Sequence, residues 1–560
     1  MKKQFSNFFL LFTIVLFLHS CGSKNEEGKM IPSTATYVSV VNTESIGKHL
    51  TWEEVKTSGW YHFIKTNESL PEWTKKVLNS PEESGINFNK SLIFFTNLSM
   101  AGKTYTAITG TLNNQKDFDQ FNKEFSNLGE IRKQGKIQML SLSGNQLLGW
   151  NENNFVYLSS THIAVPMPVN PEEMDSTTMT SEEMMAECLN IFELKKENSL
   201  SKNEIFSNLI KENAEIRFYI NGEELMKNNP VTGIGSMLNT DVFFKNNVTT
   251  LAIKFEDGEI DIHHRQYMSD KLLDFMEKNT GSKVHKDFIK NIPSDDIMGV
   301  ISLSMKPGAI QNLIKLTGAD GLANMFLQQA GFNLDDVSKA TDGNWLMVMS
   351  DARTTKTSSG NSVDSNKVKF DFNALLAIGV QDKASFQKVV NGAEMFFGKE
   401  KMIEDFPIIL NDQMMIISNS VPFANQFVNG QSKTKFEFPD TFFDAPMGAY
   451  FDFQKMLLLG KESSKLKPEE AEFIDENLKV WKNIVISGGE VKKEAVDIRA
   501  KVHLMDQNIH SLKTLNSYLY QMAELQKKTK STTSSGLNMD SLLAPPATDT
   551  VRITDTPKQQ

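Results

Sequence analysis

The sequence predicts an α+β fold made of two tandem homologous halves, each a mostly antiparallel sheet with helices packed on one face. Three observations predict it: strand-like stretches alternate apolar and polar residues, most connections between them have hairpin length, and the same order of segments occurs twice. Alternation with a period of two indicates a sheet with a buried face. Hairpin connections that outnumber crossover connections favour antiparallel strands over a doubly wound sheet.

The repeat is visible when the chain is compared with itself. Ile31–Ser33 and Ile292–Ser294 both read Ile-Pro-Ser, and each precedes an apolar run. Tyr105–Thr111 and Ala374–Val380 each alternate like a strand and lead into a helix with one apolar face. Two long copies are typical of a pair of similar domains rather than of an array of short repeats.

The repeat gives a first half over residues 30–285 and a second over residues 286–525. Residues 166–187 lack periodicity and predict a mobile loop in the first half. Residues 354–367 are a polar insertion that is expected to lengthen a hairpin in the second half. The Lys-, Ser-, Thr- and Pro-rich residues 526–560 predict a disordered tail.

Length and composition restrict the class of protein. A chain of 560 residues exceeds the size at which one core keeps growing, and its 40% hydrophobic content, with 38 Phe and 27 Met, supports more than one core. Basic residues number 59 against 69 acidic ones, which gives a net charge of −10. No basic surface is available to follow a phosphate backbone, so nucleic acid is not expected as a partner.

The first 20 residues have the layout of a secretory signal peptide, with a basic start and an apolar run over Phe8–Leu18. The run is shorter than the roughly 20 residues that a membrane-spanning helix needs. It ends in a lipobox that includes Leu18 and Ser20 and places Cys21 first in the mature chain. We expect cleavage before Cys21 and a lipid anchor on its sulfur, so the membrane is a partner through that anchor.

A polar tether follows the cysteine over residues 21–29. Lys24, Glu26 and Glu27 resemble the basic-plus-acidic export signal of surface-displayed lipoproteins in the Bacteroidota, although Asn25 interrupts the pattern. The expected location is therefore the outer membrane with the protein facing the cell exterior. A periplasm-facing lipoprotein is the alternative.

The sequence contains two cysteines, Cys21 and Cys188. With Cys21 lipidated, Cys188 has no intramolecular partner, so no disulfide framework is expected. We expect Cys188 to be a small buried residue or a thiol in a mobile segment rather than a reactive group.

The familiar catalytic motifs for acyl transfer, zinc hydrolysis, phosphate binding and dinucleotide binding are absent from the sequence. Ser45 and Lys48 match the Ser-x-x-Lys spacing of serine acyl-enzymes, but the accompanying motifs of those enzymes are missing. The spacing is expected to mark an ordinary junction between a strand and a helix. No enzymatic activity, catalytic residue or cofactor is predicted.

The best metal-binding candidates are Asp261 and His263, which would project from one face of a strand. Two ligands are too few for a metal site. The equivalent stretch of the second half, Asp497–Lys501, has no histidine. We therefore expect an exposed, charged strand face and no metal.

Aromatic residues crowd the start of the first half, where they could belong to the core or could stack on sugars and anchor partner proteins. The candidate binding residues are Trp52, Trp60, Tyr61 and Trp73. The equivalent region of the second half has Leu313, Leu316 and Phe326 instead. A functional difference between the halves is expected in this region.

The lipobox, the acidic residues after it, the Ile-Pro-Ser opening and the two-fold repetition together resemble a family of Bacteroidota envelope lipoproteins that share a domain of unknown function, numbered 4836. The resemblance implies a location and an architecture but no activity. The expected function is a non-enzymatic binding or scaffold module for a cell-envelope protein or glycan. The alternatives are a structural or assembly component of an envelope complex, or an unrecognised hydrolase.

Overall fold

The computed structural model describes residues 27–58, 61, 70–98, 104–127, 129–143, 145–160, 178–227, 239, 241–357, 367–397, 407–431, 434–463 and 466–532. The predicted signal peptide and lipobox lie outside these residues. Among the described helices, none has the length and apolar character that crossing a bilayer requires.

Eighteen strands form one sheet in which every pairing is antiparallel. The strands are β1 Tyr37–Val41, β2 Leu92–Asn97, β3 Tyr105–Thr111, β4 Arg132–Gln134, β5 Ile137–Ser143, β6 Gln146–Trp150, β7 Asn154–Ser160, β8 Ile216–Asn221, β9 Val248–Glu256, β10 Glu259–Tyr267, β11 Ile297–Ser304, β12 Thr341–Thr357, β13 Lys367–Val380, β14 Ile408–Leu410, β15 Met414–Ser418, β16 Met447–Asp452, β17 Trp481–Lys492 and β18 Ala495–Leu504.

The helices are α1 Thr43–His49, α2 Trp52–Lys56, α3 Glu72–Asn79, α4 Gln115–Asn122, α5 Ser181–Phe192, α6 Glu204–Ile210, α7 Gly222–Lys227, α8 Asp241–Phe244, α9 Asp270–Asn279, α10 Lys286–Lys290, α11 Ala309–Leu316, α12 Asp320–Gln329, α13 Leu334–Ala340, α14 Lys383–Phe397, α15 Val421–Val428, α16 Asp440–Phe443, α17 Phe453–Ser463, α18 Pro468–Val480 and α19 Ser511–Thr532. Single turns of 3₁₀ helix lie at Pro81–Glu83, Lys196–Asn198 and Leu200–Lys202, and a longer one at Lys123–Asn127. Helices together with a large antiparallel sheet confirm the predicted α+β class.

The strand pairings give a linear order across the sheet: β4, β5, β6, β7, β3, β2, β1, β8, β9, β10, β18, β17, β16, β11, β12, β13, β15, β14. We call β1–β10 the N-terminal side and β11–β18 the C-terminal side. The two sides meet in a single ladder between β10 and β18. Outward from this ladder, the order β9, β8, β1, β2, β3 on one side parallels β17, β16, β11, β12, β13 on the other.

The sheet has two faces. Neighbouring residues of a strand point to opposite faces, so one pair of neighbours on a strand defines both. Face A carries Phe94 of β2 and Met347 of β12, and face B carries Phe95 and Val348 beside them. On the N-terminal side both faces are buried, because Phe94 belongs to one core cluster and Phe95 to another. Helices therefore cover both faces of this side, where the alternation predicted a cover on one face only.

On the C-terminal side the main core lies on face B, under α10, α15 and α16. A smaller core on face A, at the far end of the sheet, is closed by α14 through Phe386 and Val390. Between that small core and the β10–β18 ladder, Trp481 packs against the N-terminal face A core and Trp345 packs against the small core, whereas Ile301 and Met347 belong to neither cluster.

Helix α5 corrects the predicted loop over residues 166–187. Thr180 and Glu183 form a reciprocal capping box, in which each side chain bonds the backbone N–H of the other residue. Apolar residues at helical spacing then bury one side of α5 on face B, including Met184 and Cys188. Residues 166–177 of the predicted loop lie outside the described residues.

The flanks of the polar insertion are paired strands where the structure describes them. The ladder between β12 and β13 continues outward to the pair Thr357 and Lys367, so the flanks of the insertion extend the hairpin. Residues 358–366 lie outside the described residues.

Helix α19 corrects the start of the predicted tail. The helix continues to Thr532, so residues 526–532 are helical, and residues 533–560 lie outside the described residues. Leu512 and Ala523 of α19 are buried in the face A core of the N-terminal side, together with Ile46 and Trp150. The last described helix therefore completes a core to which residues before position 160 contribute.

Candidate functional site

The aromatic residues proposed for binding are core residues where the structure describes them. Trp52, Tyr61 and Trp73 are buried in the face A core of the N-terminal side. Trp73 is only 5% exposed, stacks on Tyr157 with ring centroids 5.1 Å apart, and donates from Nε1 to Asn122 Oδ1 at 2.7 Å. These rings offer no surface to a sugar or a partner.

Other predicted residues are not described. Trp60 and the lipobox residues Leu18, Ser20 and Cys21 lie outside the described residues. The predictions that concern them stay predictions.

The Ser-x-x-Lys match lies at the start of α1 and does not form a nucleophile and base. Ser45 Oγ donates to Glu215 Oε1 at 2.6 Å. Lys48 Nζ instead pairs with Glu44 Oε1 at 3.0 Å. The structure thus places the hydroxyl beside a carboxylate and the ammonium beside another one.

The metal candidates Asp261 and His263 lie on face B at the ladder between β10 and β18, and each has a different partner. His263 bridges two carboxylates, with Nδ1 2.8 Å from Glu212 Oε2 and Nε2 2.7 Å from Asp497 Oδ2. Asp261 Oδ2 lies 3.9 Å from Arg499. Within the described ranges, no group of three or more potential ligands is placed to hold a metal ion.

Arg265 completes this group, which we call the charged seam: Glu212, His263, Arg265 and Asp497. The guanidinium lies 2.9 Å from Glu212 Oε1 and 3.3 Å from Asp497 Oδ2. Two carboxylates thus face two basic side chains, with all four side chains largely buried. The geometry pairs charges between the two sides of the sheet and presents no open position to a ligand.

The charged seam shifts the pKa values of its members. Hydrogen bonds to Asp497 and then to Glu212 raise the pKa of His263, and they outweigh the effect of its burial. Burial would raise the pKa of Asp497, but hydrogen bonds from His263 and Arg265 hold that pKa at about 2. The neighbouring His264 has its pKa lowered, first by burial and then by the charge of His263.

The feature that distinguishes the two sides of the sheet is the cover of face A. On the N-terminal side, α1, α2 and α3 connect β1 to β2 and bury face A under Trp52, Tyr61 and Trp73. On the C-terminal side, α11, α12 and α13 connect β11 to β12. Ala309 alone is buried in α11, and no residue is buried in α12.

The result is an exposed apolar surface that we call the open face. Among the described residues, every exposed large hydrophobic side chain lies after residue 300. Met347 is 48% exposed and Ile301, directly opposite it on β11, is 38% exposed. The open face consists of Ile301, Leu303, Met347 and Met349 on the sheet, together with the exposed Leu313, Leu322, Met325 and Phe326 on α11 and α12, the helices that follow β11.

A cleft lies at one end of the open face, between α11, α13 and the start of β12. It is shallow, with enclosed room for about one water molecule, and its lining includes Met305, Lys306, Ile310, Val337 and Trp345. Gly343, also in the lining, has a φ of +91°, and a Cβ there would lie 1.9 Å from the carbonyl oxygen of Met305. The backbone at this point therefore requires glycine.

Sequence reasoning missed the sheet residues of the open face. Ile301 and Met347 lie in runs that are apolar on both strand faces, and such runs normally belong to strands buried on both faces. One sequence signal did point to this surface: the second half has Leu313 and Phe326 in the region where the first half has tryptophans. This difference in residues indicated that the helices after β11 do not cover the sheet as the helices after β1 do.

Comparison with known proteins places the chain by family only. No curated protein sequence matches it. A crystal form III structure of TP0453 is similar over 45% of this chain and 82% of that chain, with 10% identity and a TM-score of 0.23. The family model described as a domain of unknown function, DUF4836, matches residues 28–319. Because this match covers more than half of the sequence, the chain belongs to the DUF4836 family.

Proposed function

We propose that the chain is an outer-membrane lipoprotein, anchored through Cys21, that acts as a non-enzymatic binding module of the cell envelope. The observation that carries the binding role is the open face. A folded chain normally buries a continuous apolar strand face, and the N-terminal side of this sheet does so under aromatic side chains. The C-terminal side leaves Ile301 and Met347 exposed.

The chemistry of the open face favours an apolar partner. Its sheet residues are aliphatic or Met, and methionine adapts its shape to different ligands. Of the aromatic residues that could have stacked on a glycan, Trp52, Tyr61 and Trp73 are core residues. An envelope protein or a lipid-like molecule is therefore the better candidate. The lipobox and the residues after Cys21 support anchoring and an outward orientation, with a periplasmic orientation as the alternative.

A role as an assembly component of an envelope complex is the second candidate. The observation that favours it is α12, in which Leu322, Met325 and Phe326 are all exposed. Exposed anchors spaced along a helix are typical of surfaces that dock on another protein.

The anchor is tested in the producing bacterium. Growth with a radioactive fatty acid is expected to label the wild-type protein and to leave Cys21→Ala unlabelled. Protease treatment of intact cells should degrade the wild-type protein if it faces outward. An unlabelled wild-type protein would contradict the anchor, and a labelled but protease-protected one would assign the periplasmic orientation.

The binding role is tested on the polypeptide 22–560, which contains every described residue. The dye bis-ANS, whose fluorescence rises on apolar surfaces, is expected to bind saturably, and Met347→Glu should weaken this binding. Lys133→Glu is the matched control, because Lys133 is an exposed residue on β4, remote from the open face in the strand order. Equal dye binding by all three proteins would contradict a binding role for the open face.

The two candidate functions are separated by a photoreactive amino acid placed at position 347 in living cells. Reproducible attachment to one envelope protein would support the assembly role. Attachment to a small apolar molecule would support the binding module.

A further inference from the structure

We infer that the open face binds a long-chain fatty acid, with the carboxylate in the cleft beside Lys306 and Trp345 and the acyl tail along face A. This inference rests on the proposed binding role and names its ligand class. It follows from three features that lie together on the structure: an apolar path, a buried N–H without a partner, and an unpaired cation.

The apolar path runs across five neighbouring strands. The ladder registers place Leu376, Met347, Ile301, Ala449 and Ile486 opposite one another, from β13 through β12, β11 and β16 to β17. Adjacent strands are about 4.8 Å apart, so the path is about 19 Å long. Met347 and Ile301 are exposed, Leu376 and Ile486 are half-buried, and Ala449, between Ile301 and Ile486, is only 7% exposed. The exposed part of the path therefore lies on β12 and β11, where an acyl chain would meet apolar side chains.

The unpartnered N–H belongs to Trp345. Its indole lies on face A next to the path, directly opposite Leu303 on β11. Its Nε1 is buried and has no hydrogen-bond partner among the described residues. A buried indole N–H normally finds an acceptor, so a ligand oxygen that reaches it would be stabilised.

The unpaired cation is Lys306, which lines the same cleft as Trp345. Its side chain is exposed and forms no ion pair within the described part of the chain. The protein as a whole is acidic, with a net charge of −10, and many of its lysines pair with carboxylates. A lysine without such a partner, at the end of an apolar path, favours an anionic group.

A carboxylate satisfies both features, because it accepts a hydrogen bond from the indole and carries the charge that the ammonium attracts. The enclosed part of the cleft has room for about one water molecule, so a single carboxylate oxygen rather than a bulky head group would reach the indole there. The remaining lining is apolar around Ile310 and Val337, which suits the first carbons of the tail.

The test uses the polypeptide 22–560 after removal of bound lipid on a hydrophobic resin. The fluorescent fatty acid 11-(dansylamino)undecanoic acid is titrated first, and it is then displaced with palmitic acid or with methyl palmitate. The two competitors share the tail and differ in the charge of the head group. Palmitic acid is expected to displace the probe at roughly tenfold lower concentration than its methyl ester.

Three variants locate the head group. Lys306→Gln and Trp345→Phe should each weaken the binding of palmitic acid by roughly three- to tenfold and leave the binding of methyl palmitate nearly unchanged. Lys315→Gln is the matched control, since Lys315 is also an exposed lysine on α11 but does not line the cleft. The urea unfolding midpoint of each variant confirms that it is folded.

The outcomes are distinguishable from failure of the proposed function. If bis-ANS binding depends on Met347 but palmitic acid does not displace the probe, the binding role stands and the fatty acid inference is overturned. Equal displacement by acid and ester also overturns it. Displacement by phospholipid vesicles alone, or dimer formation that Met347→Glu abolishes, would assign the open face to a membrane surface or to a second copy, and would overturn it too.

Discussion

The imidazole Nε2 of His263 lies 2.7 Å from Asp497 Oδ2, and this contact joins residues that are 234 positions apart. It crosses the ladder at which the two sides of the sheet meet. Because both side chains are largely buried, removing one partner would leave the other without compensation, which costs more than removing one member of an exposed pair. The stability of the ladder that joins the two sides is therefore expected to depend on the protonation of His263.

The first prediction concerns pH. The folded-state pKa of His263 is raised, so its protonated hydrogen bonds stabilise the fold fully below about pH 6.5 and are lost as the pH rises through the raised value. His263→Gln is expected to lower the free energy of unfolding by about 1–3 kcal/mol at pH 5.5 and by less at pH 9. Urea unfolding midpoints at the two pH values measure this difference. An equal loss at both would contradict the protonated bridge.

The neighbouring His264 provides a control with the opposite sign. Burial lowers its folded-state pKa, so the wild-type protein loses stability as the pH falls below about 6.5. His264→Gln should remove this loss and make the variant relatively more stable at pH 5.5 than at pH 9. Asp497 does not interfere, because its pKa of about 2 keeps it charged over this range.

The second prediction separates core aromatics from the open face. Trp73→Ala removes a buried ring and its hydrogen bond to Asn122, and should destabilise the protein by about 3–5 kcal/mol. Phe326→Ala removes a ring that is 53% exposed, and should change stability by less than about 0.5 kcal/mol. Both are measured by urea unfolding. A large loss in Phe326→Ala would show that the ring is packed.

The third prediction concerns the thiol of Cys188, which is fully buried on α5. Burial, and after it the charge of Glu187, raise its pKa to about 12. In the polypeptide 22–560, which lacks Cys21, Ellman's reagent is expected to react with this thiol at least about 100-fold more slowly in the folded protein than in urea. Rapid reaction without denaturant would mean that α5 opens readily.

The fourth prediction couples a glycine to that cysteine. A Cβ at Gly149 of β6 would lie 2.2 Å from Cys188 Sγ, so Gly149→Ala forces the packing of α5 on face B to shift. The variant should lose about 1–3 kcal/mol of stability. Cys188→Ala removes the sulfur and should restore part of this loss in the double variant. Additive losses in a double-mutant cycle would contradict direct contact.

Local sequence pattern predicted the elements better than their assembly. Alternation in Tyr105–Thr111 and Ala374–Val380 correctly gave β3 and the end of β13. The composition of residues 166–187 predicts a loop, although Thr180 and Glu183 in the same stretch have the spacing of a capping box, which indicates the start of a helix. Helix α5 was missed for this reason. The pairing of β10 with β18 could not be read, because an alternating strand does not specify its neighbour.

The candidate site was less predictable than the fold. Burial of Trp73 and exposure of Phe326 depend on whether a helix closes over the sheet, and this is decided by tertiary packing rather than by the residue itself. The duplication inferred from sequence stays a prediction. The charged seam could not be predicted, because it includes Glu212, which lies outside both β10 and β18. The internal repeat gave no indication of this residue.

Helix α19 has a consequence for how the molecule is made. Its Leu512 and Ala523 close the core that holds Ile46 and Trp150, so the portion synthesised first has an incomplete interior until the portion synthesised last has been released. The core of the N-terminal side therefore stays incomplete until α19 has been synthesised. Ile46 and Trp150 therefore cannot be fully packed before the residues of α19 are available to cover them.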